Sequence, residues 1–435
     1  MNLFRLSLRF NKFPIAEATE HFKAIEAISE KEFDAHIDKR KKAILDFHLN
    51  NNPFYKNLTR NIDTAQWEQI PVLTKAHLQQ PLSQRLSNGY SVKGVYVNKT
   101  SGSSGHPFVF AKDKFCHALT WARVEALYKQ HGIVLGKSLE ARFYGIPLDF
   151  IGHKKESLKD RLSRRRRFPI FDLSDQKMAN FLARFKNTKF ELINGYTSSI
   201  VLFAKYLAAQ NIVLTTVCPT LRHCIVTSEM LFDSDKELLE KWLGVPIINE
   251  YGASELGVMG YTNKEGEFAL NAETLYIEIL DDENRLLPEG EVGRIVVTSL
   301  YNKAHPMIRY DIGDYGIIAP HGTAKRKVLH QLVGRTNDVA ELKNGTKVPG
   351  LTFYYVTKSV IEDDGNVKEF IVEQLDYSTF KVIYVAEDRL NEKKHKQIKE
   401  ALDTYVGEDL EISFERVEVL IRSNRGKLKQ FVKRF

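Results

Sequence analysis

The chain of 435 residues has 43% hydrophobic and 27% charged residues, as in folded globular proteins, which excludes wholesale disorder and fibrous architectures. Its length corresponds to about two to four domains, and no run reaches the roughly 18 apolar residues of a transmembrane helix. Sixty-three basic and 55 acidic side chains give a net charge of +8, which is mild for this size.

Helical and extended patterns alternate in the first third of the chain. Residues 15–49 carry apolar side chains at three- and four-residue spacings, which predicts a helical segment that stops at residues 50–53 (Asn-Asn-Asn-Pro). Apolar pairs near residues 95–97 and 108–110 predict two short strands around a polar loop. Residues 113–131 are expected to be helical.

Residues 190–260 alternate short apolar runs with helical stretches. The runs at 190–194, 223–229 and 245–249 predict strands, and residues 197–209 and 234–242 predict helices. This alternation favours a largely parallel sheet that is covered on both faces. An earlier helix is expected to begin after Ser174, a residue type preferred at the N-cap.

Strands and turns dominate residues 272–318, which predicts an antiparallel sheet or a small barrel. Further on, residues 367–385 are rich in predicted strands, residues 389–405 form a charged helix, and residues 410–420 form a last strand. We place a domain boundary near Asn337. It separates a large N-terminal domain, residues 1–336, from a small α+β domain, residues 337–435.

The strongest local signal is the polar loop between the first two predicted strands. Glycine permits tight turns that expose backbone N–H groups, and the hydroxyls add donors, so the loop can form a nest for phosphate oxygens. No Gly-Lys-Ser/Thr follows, so it is not a Walker A loop. A flexible linker is the alternative, although linkers seldom lie between two β-rich runs of one domain. The loop comprises Thr100, Ser101, Gly102, Ser103, Ser104, Gly105, His106 and Pro107.

Four later segments complete a set that occurs in order along the chain. They are residues 251–255 (Tyr-Gly-Ala-Ser-Glu), 309–314 (Arg-Tyr-Asp-Ile-Gly-Asp), 334–338 (Gly-Arg-Thr-Asn-Asp) and 426–427 (Gly-Lys). Together with the loop they resemble the motifs of the adenylate-forming superfamily, which includes acyl-CoA synthetases, peptide-synthetase adenylation domains and luciferases. Residues 52–55, 70–75 and 308–314 resemble the phenylacetate-CoA ligase branch, which includes CapK-type proteins. The resemblance covers nearly the whole chain.

The resemblance implies an α/β adenylate-forming fold. Its large N-terminal domain has covered α/β sheets and a distorted β-barrel, and its small, mobile C-terminal domain carries the catalytic lysine. It also implies ATP and Mg²⁺ as nucleotide and metal. Glu255 is the expected Mg²⁺ ligand, since Mg²⁺ prefers one or two carboxylates plus phosphates. Tyr251 offers a flat face for adenine. The other nucleotide contacts implied near adenine are Gly252, Ser254, Ser228 and Glu229, with Ser228 where the family usually has glycine.

The remaining implied roles concern the ribose, the phosphates and the reaction. Asp314 is the expected ribose ligand, because one carboxylate can accept hydrogen bonds from two adjacent hydroxyls. Arg335 is expected near the ribose and phosphates. Lys427 is the expected catalytic residue that neutralises charge in the transition state, and Lys429 is the alternative. Asn337 occupies the hinge position, where the family usually has Asp or Lys.

Three functions follow as hypotheses. The first is an AMP-forming acid ligase that activates a small carboxylic acid, releases pyrophosphate and passes the acyl group to an acceptor. The resemblance implies coenzyme A as acceptor, with a sugar or an amine in polysaccharide biosynthesis as the alternative. The second is adenylyl transfer without an acyl step, and the third is a non-catalytic scaffold. The joint presence of Glu255, Asp314 and Lys427 argues against the scaffold.

Three further features bear on partners and compartment. Tyr144 and Tyr196 either line an aromatic acid pocket or pack in the core. The basic cluster at residues 164–167, all arginine, is either a solvated face or a contact for an anionic partner. It lacks the interleaved aromatics of a nucleic-acid site, so no nucleic-acid partner is expected. Sparse cysteines and the absence of a signal-peptide pattern predict a cytoplasmic protein with buried thiols, and Cys218, His223 and Cys224 make a poor zinc site.

Overall fold

The computed structural model describes residues 3–100, 108–144, 160–161, 163–170, 173–335, 339–345, 347–361, 367–406, 410–422 and 428–435. The α-helices in these ranges are α1 Leu3–Phe10, α2 Ile15–Glu26, α3 Glu30–Asn51, α4 Pro53–Leu58, α5 Leu82–Arg85, α6 Lys114–Gln130, α7 Asp175–Asn187, α8 Thr197–Ala209, α9 Leu214–Val217, α10 Asp233–Leu243, α11 Gly350–Ile361 and α12 Glu392–Val406. A short 3₁₀ turn covers Trp67–Gln69.

The strands are β1 Tyr96–Lys99, β2 Val109–Lys112, β3 Glu140–Phe143, β4 Arg165–Phe168, β5 Leu192–Tyr196, β6 His223–Thr227, β7 Ile247–Ala253, β8 Gly257–Thr262, β9 Phe268–Leu270, β10 Leu275–Leu280, β11 Gly293–Ser299, β12 Tyr310–Ile318, β13 Leu329–Arg335, β14 Val339–Glu341, β15 Lys347–Pro349, β16 Val367–Gln374, β17 Thr379–Ala386, β18 Glu411–Val417 and β19 Phe431–Lys433. In the described ranges, no helix has the length and apolar character to span a membrane.

The central sheet has seven strands in the order β4-β3-β5-β6-β7-β8-β9. The strands from β4 to β7 pair in parallel, and β8 and β9 add antiparallel to the edge. On one face, strand residues such as Ile193 pack with Phe181 of α7 and Phe203 of α8. On the other face, Ile225 and Ile248 pack against α6. The predicted covered, largely parallel sheet is therefore confirmed.

A second sheet is antiparallel, in the order β10-β11-β12-β13. Its inner face shares one apolar cluster with Phe110 of β2, with Phe108 just before that strand, and with Met259 of β8. The β1–β2 hairpin, the end of the central sheet and the second sheet therefore meet around a common core. The predicted antiparallel sheet within residues 272–318 is confirmed.

The C-terminal part has its own apolar core. A four-stranded sheet in the order β18-β17-β16-β19 packs with α11 and α12 through residues such as Phe353, Phe380 and Ile398. Both predicted strands and the predicted helix lie in this part. The predicted boundary at Asn337 lies outside the described residues, so the domain division remains a prediction.

The predicted helical segment at residues 15–49 is wrong in one respect, because it consists of two helices. The first, α2, ends at Glu26, and α3 begins at Glu30. Ser29 has extended backbone angles, and its hydroxyl donates a hydrogen bond of 2.6 Å to a Glu32 carboxylate oxygen. Ser-x-x-Glu is the sequence of a capping box, so a new helix start interrupts the apolar periodicity.

Candidate active site

Two residues predicted to bind the nucleoside lie in direct contact. The hydroxyl of Tyr251, near the end of β7, donates a hydrogen bond of 2.7 Å to Oδ2 of Asp314 in β12. Both side chains are buried. On the neighbouring strand, Arg335 is the register partner of Asp314. The backbone thus brings together three predicted nucleotide residues that are far apart in sequence.

A second acid–tyrosine pair lies beside the first. Glu255 follows β7 in the turn to β8, and its Oε1 accepts a hydrogen bond of 3.0 Å from the hydroxyl of Tyr310. Tyr310 and Asp314 belong to the same strand and are four residues apart, so their side chains share one face. Burial is the main cause that raises the pKa of Tyr310 well above its ordinary value, so this hydroxyl remains a donor to the Glu255 carboxylate.

The turn that carries Glu255 depends on a close backbone approach. A Cβ at Gly252 would lie 2.8 Å from the carbonyl oxygen of Gly257 across the hairpin. Gly257 has φ +95°, and a Cβ there would meet Thr120 at 2.7 Å. Glycine at both positions lets the hairpin pack on α6 and presents Glu255 inward, whereas Ser254 at its tip is exposed.

Lys112 is a candidate functional residue that the sequence analysis missed. Its side chain is buried at the end of β2, and its Nζ donates a hydrogen bond of 3.4 Å to Thr120 Oγ1. Burial lowers the pKa of Lys112, while the nearby charge of Glu255 acts in the opposite direction. The signal available in the sequence was a lysine at an inward-facing position of a short hairpin strand. A lysine buried in this way needs a partner, which marks it as a candidate functional residue.

The predicted phosphate loop and the predicted catalytic lysine fall largely outside the described residues. These unplaced predictions are Ser101, Gly102, Ser103, Ser104, Gly105 and Lys427. Thr100 is described, and its Oγ1 accepts a hydrogen bond of 3.0 Å from the backbone N–H of Phe108. A backbone bond of 2.9 Å between the same two residues runs the other way. Thr100 and Phe108 therefore continue the pairing of the β1–β2 hairpin by one residue on each strand.

Ser228 and Glu229 form the turn after β6. Ser228 has φ +70°, a left-handed conformation that glycine adopts most easily. This left-handed backbone conformation explains why glycine is usual at this position in the family that the motifs resemble. The turn directs the Glu229 carboxylate to the N-terminus of α8, where it accepts a hydrogen bond of 2.8 Å from the backbone N–H of Ser198.

A polar and aromatic wall covers the carboxyl ends of β3, β5 and β7. The rings of Tyr144 and Tyr196 lie 4.7 Å apart, and the guanidinium of Arg142 lies 4.2 Å from the Tyr144 ring centre. Glu250 accepts hydrogen bonds of 3.2 Å from the Tyr128 hydroxyl and 3.3 Å from the hydroxyl of Thr227. Burial raises the pKa of Glu250. Carboxyl ends of parallel strands are the usual place for ligand sites in such sheets.

The basic cluster is partly engaged within the protein. Arg165 donates a hydrogen bond of 3.0 Å to Glu140, and Arg167 donates one of 2.7 Å to Asp160. Arg164 and Arg166 are exposed. A contact with an anionic partner would therefore involve these two exposed arginines.

The three cysteines are free and buried, as predicted. Within the described ranges, no three side chains of His, Cys, Asp or Glu converge as a metal site would require. Cys218 Sγ lies 3.6 Å from the carbonyl oxygen of Phe190, a contact that fits a packed thiol.

Replacing Tyr251 by phenylalanine tests the first acid–tyrosine pair. We expect the Kd for ATP to rise about tenfold, the scale of one hydrogen bond to a charged group, because Asp314 loses its donor while the ring remains. Titration calorimetry measures the effect. Tyr315→Phe is the matched control on the opposite face of β12, where the hydroxyl lies 3.4 Å from Asp282 at the surface. Equal affinities for both variants would contradict the assignment of this pair to the nucleotide site.

Comparison with known proteins agrees with the class that the motifs and site indicate. No protein-family model matches the chain. A crystal structure of 2-hydroxyisobutyryl-CoA ligase in the postadenylation state, in complex with 2-HIB-AMP, superposes with a TM-score of 0.72 at 14% identity. The match covers 94% of this chain and 90% of that chain. The protein therefore has the fold of the adenylate-forming ligases, as predicted.

Sequence relatives narrow this class. Protein CapK from Staphylococcus aureus is 22% identical over 403 residues, which cover 91% of this chain and 86% of CapK. Phenylacetate-coenzyme A ligase from Pseudomonas putida is 28% identical over 135 residues, 30% of each protein. The chain is thus a homologue of CapK and of phenylacetate-coenzyme A ligases, which confirms the predicted branch. The named ligases among these proteins agree with the predicted enzyme class.

Proposed function

We propose that the protein activates a carboxylic acid with ATP to form an acyl-adenylate and pyrophosphate, and then transfers the acyl group to an acceptor. A carboxylate oxygen attacks the α-phosphorus, and pyrophosphate leaves. The acceptor then attacks the acyl carbon and releases AMP. The buried Tyr251–Asp314 contact beside the Tyr310–Glu255 contact is the observation that carries this proposal.

The residues divide the work between binding and charge stabilisation. Asp314, oriented by Tyr251, binds the ribose hydroxyls, and the loop at residues 100–107 binds phosphate oxygens with Arg335 nearby. Lys427 neutralises the charge that develops where the carboxylate meets the α-phosphate. Tyr251 lies on one side of the adenine site, and the turn at Ser228 and Glu229 lines another side. Positioning and electrostatics supply most of the rate enhancement in such a reaction.

Glu255 fits the role of Mg²⁺ ligand. Its buried carboxylate is held by Tyr310 through one oxygen, and a single protein carboxylate together with phosphates satisfies the preference of Mg²⁺. The ion would neutralise phosphate charge when bound. Lys112 adds a buried amino group, and its electrostatic interaction with Glu255 favours the protonated form.

Coenzyme A is the proposed acceptor, and residues 337–435 are the proposed mobile domain that turns between the two half-reactions. The names of the phenylacetate-coenzyme A ligases support this acceptor. Similarity to CapK over most of the chain keeps a sugar or amine acceptor as the second candidate. Free cysteines and the need for ATP support a cytoplasmic location.

For the acid, we favour one with an aromatic or compact body and a hydrogen-bonding substituent. Tyr144 and Tyr196 offer ring faces, while Arg142 and Glu250 offer a guanidinium and a carboxyl group on the same wall. A pocket built in this way rejects an acid that leaves its polar groups unpaired.

Acid-dependent exchange of labelled pyrophosphate into ATP tests the proposal. The panel contains phenylacetate, 2-hydroxyisobutyrate, fatty acids and amino acids, each paired with a hydroxyl- or amino-substituted counterpart. We expect exchange only when an acid is present, strongest for a substituted acid, and lost in Asp314→Ala. Exchange without any acid would favour adenylyl transfer. Normal ATP binding with no exchange for any acid would contradict the ligase.

A further inference from the structure

The carboxylate of Glu229 contacts two distant parts of the chain at once. Its Oε2 accepts the hydrogen bond of 2.8 Å from the N–H of Ser198, and its Oε1 accepts one of 3.0 Å from the N–H of Leu428. Ser198 lies in the first turn of α8, a helix without a side-chain hydrogen bond from its own N-cap residue. A negative charge is favourable there. One group therefore caps a helix of the central sheet layer and binds the C-terminal part of the chain.

A second contact reaches the same helix end. Arg422 Nη1 donates a hydrogen bond of 3.2 Å to Ser198 Oγ, and Nη2 of the same guanidinium donates to Glu369 in β16. The Arg422 side chain is only 9% exposed. Arg422 and Leu428 stand on either side of residues 423–427. Both flanks of that segment are thus attached at the N-terminus of α8.

Apolar packing supports these hydrogen bonds. Leu428 and Leu420 are buried together with Ile371 of the C-terminal sheet. The N–H of Leu428 therefore has a fixed direction toward Glu229, rather than belonging to a loose surface strand. Burial of Leu428 also shields the hydrogen bond from water, which strengthens it.

Other contacts join the same two parts of the chain farther from the site. Lys358 Nζ lies 2.7 Å from Asp235 Oδ2, and Lys205 Nζ donates a hydrogen bond of 3.1 Å to the carbonyl oxygen of Lys368. The contact made by Glu229 differs from these, because Glu229 belongs to the turn that is predicted to line the adenine site. Its carboxylate can therefore couple the nucleotide site to the C-terminal segment.

We propose that Glu229 is a positioning residue for Lys427. The inference rests on the proposed function, because it takes Lys427 as the group that supplies charge for adenylate formation. Holding the N–H of the next residue restricts where Lys427 can lie and lowers the entropy cost of bringing its ammonium to the reacting phosphate. The bond has to break when the C-terminal domain turns to the second half-reaction. Glu229 thus favours the adenylate-forming arrangement alone.

Kinetics of the two half-reactions test this role. Glu229→Gln keeps the shape but turns an amide N–H₂ toward one of the two N–H donors. We expect pyrophosphate exchange with the most active acid of the panel to slow by about tenfold to hundredfold, the range for one hydrogen bond to a charged group. The conversion of chemically prepared acyl-adenylate to product should stay unchanged. Glu240→Gln, which removes an exposed ion pair with Lys236, is the matched control and should change neither rate.

A double-variant cycle separates positioning from direct binding. Because Glu229 acts through Lys427, Glu229→Gln should add little to the loss caused by Lys427→Ala. Additive losses, or equal loss in both half-reactions, would each overturn the proposal. Arg422→Gln should reproduce the Glu229→Gln pattern in milder form, because it removes the second attachment at Ser198.

Hydrogen exchange of the Leu428 amide tests its hydrogen bond with Glu229 directly and requires no carboxylic acid substrate. With MgATP as the only ligand, we expect this amide to be protected in the wild type and in Lys427→Ala, and to exchange at least tenfold faster in Glu229→Gln. If no acid supports pyrophosphate exchange, the proposed function fails while this measurement still reports on Glu229. An unprotected Leu428 amide in the wild type would overturn the positioning role by itself.

Discussion

Replacing Lys427 by alanine is expected to slow adenylate formation by about 100-fold or more, the scale of removing one charge-stabilising donor. The ammonium is needed where the carboxylate and the α-phosphate meet, and it moves away with the C-terminal domain before acyl transfer. The variant should therefore still convert supplied acyl-adenylate to product at the wild-type rate. Rapid-quench measurements of each half-reaction check both expectations.

Lys429 provides the matched control for this prediction. It lies two residues farther along the same basic tail, and its replacement by alanine should leave both half-reactions close to wild type. Equal impairment of both half-reactions by Lys427→Ala would contradict the assignment. A selective defect in Lys429→Ala would transfer the catalytic role to that residue.

Replacing Arg309 by methionine is expected to lower the free energy of unfolding by about 3–5 kcal/mol, the cost of breaking a buried ion pair from one side. The Arg309 side chain is 1% exposed, and its Nε lies 3.4 Å from Glu278 Oε1. Its Nη1 also donates hydrogen bonds of 2.7 Å to the carbonyl oxygens of Glu68 and Ile70. The variant leaves all three acceptors without this donor.

Chemical denaturation measures the change, and two further variants sharpen it. Arg309→Met combined with Glu278→Leu should recover part of the lost stability, since no carboxylate then stays buried without its partner. Arg285→Met removes an ion pair with Asp281 in which the arginine side chain is 73% exposed, and it should change stability little. Similar losses for Arg309→Met and Arg285→Met would show that burial of the Arg309 pair contributes nothing. Because Arg309 precedes Tyr310, the variant should also weaken ATP binding.

Local patterns predicted the central sheet because its parallel strands are buried on both faces and read as short apolar runs. The break between α2 and α3 was missed, since the apolar spacing continues across residues 27–29 while the capping signal at Ser29 and Glu32 lies in polar positions. That signal was present in the sequence and would have located the new helix start.

The site was predicted by motif rather than by geometry. Tyr251 and Asp314 are separated by 63 residues, and no spacing rule pairs a tyrosine with a distant aspartate. Lys112 and Tyr310 were not predicted as site residues because nothing in the sequence around them shows which distant residue their side chains face. Their proximity to Glu255 arises from the packing of the β1–β2 hairpin and β12 against the end of β7, which depends on tertiary contacts.

The most direct test of the central claim follows an oxygen label. The acid that is most active in pyrophosphate exchange is prepared with ¹⁸O in its carboxylate and incubated with MgATP and coenzyme A. If an acyl-adenylate forms, the oxygen that joins the acid to the α-phosphorus stays with AMP when the acceptor attacks the acyl carbon. The account predicts one ¹⁸O atom in each AMP released, detected by mass spectrometry. Label in inorganic phosphate, or acid-dependent turnover that yields unlabelled AMP, would contradict it.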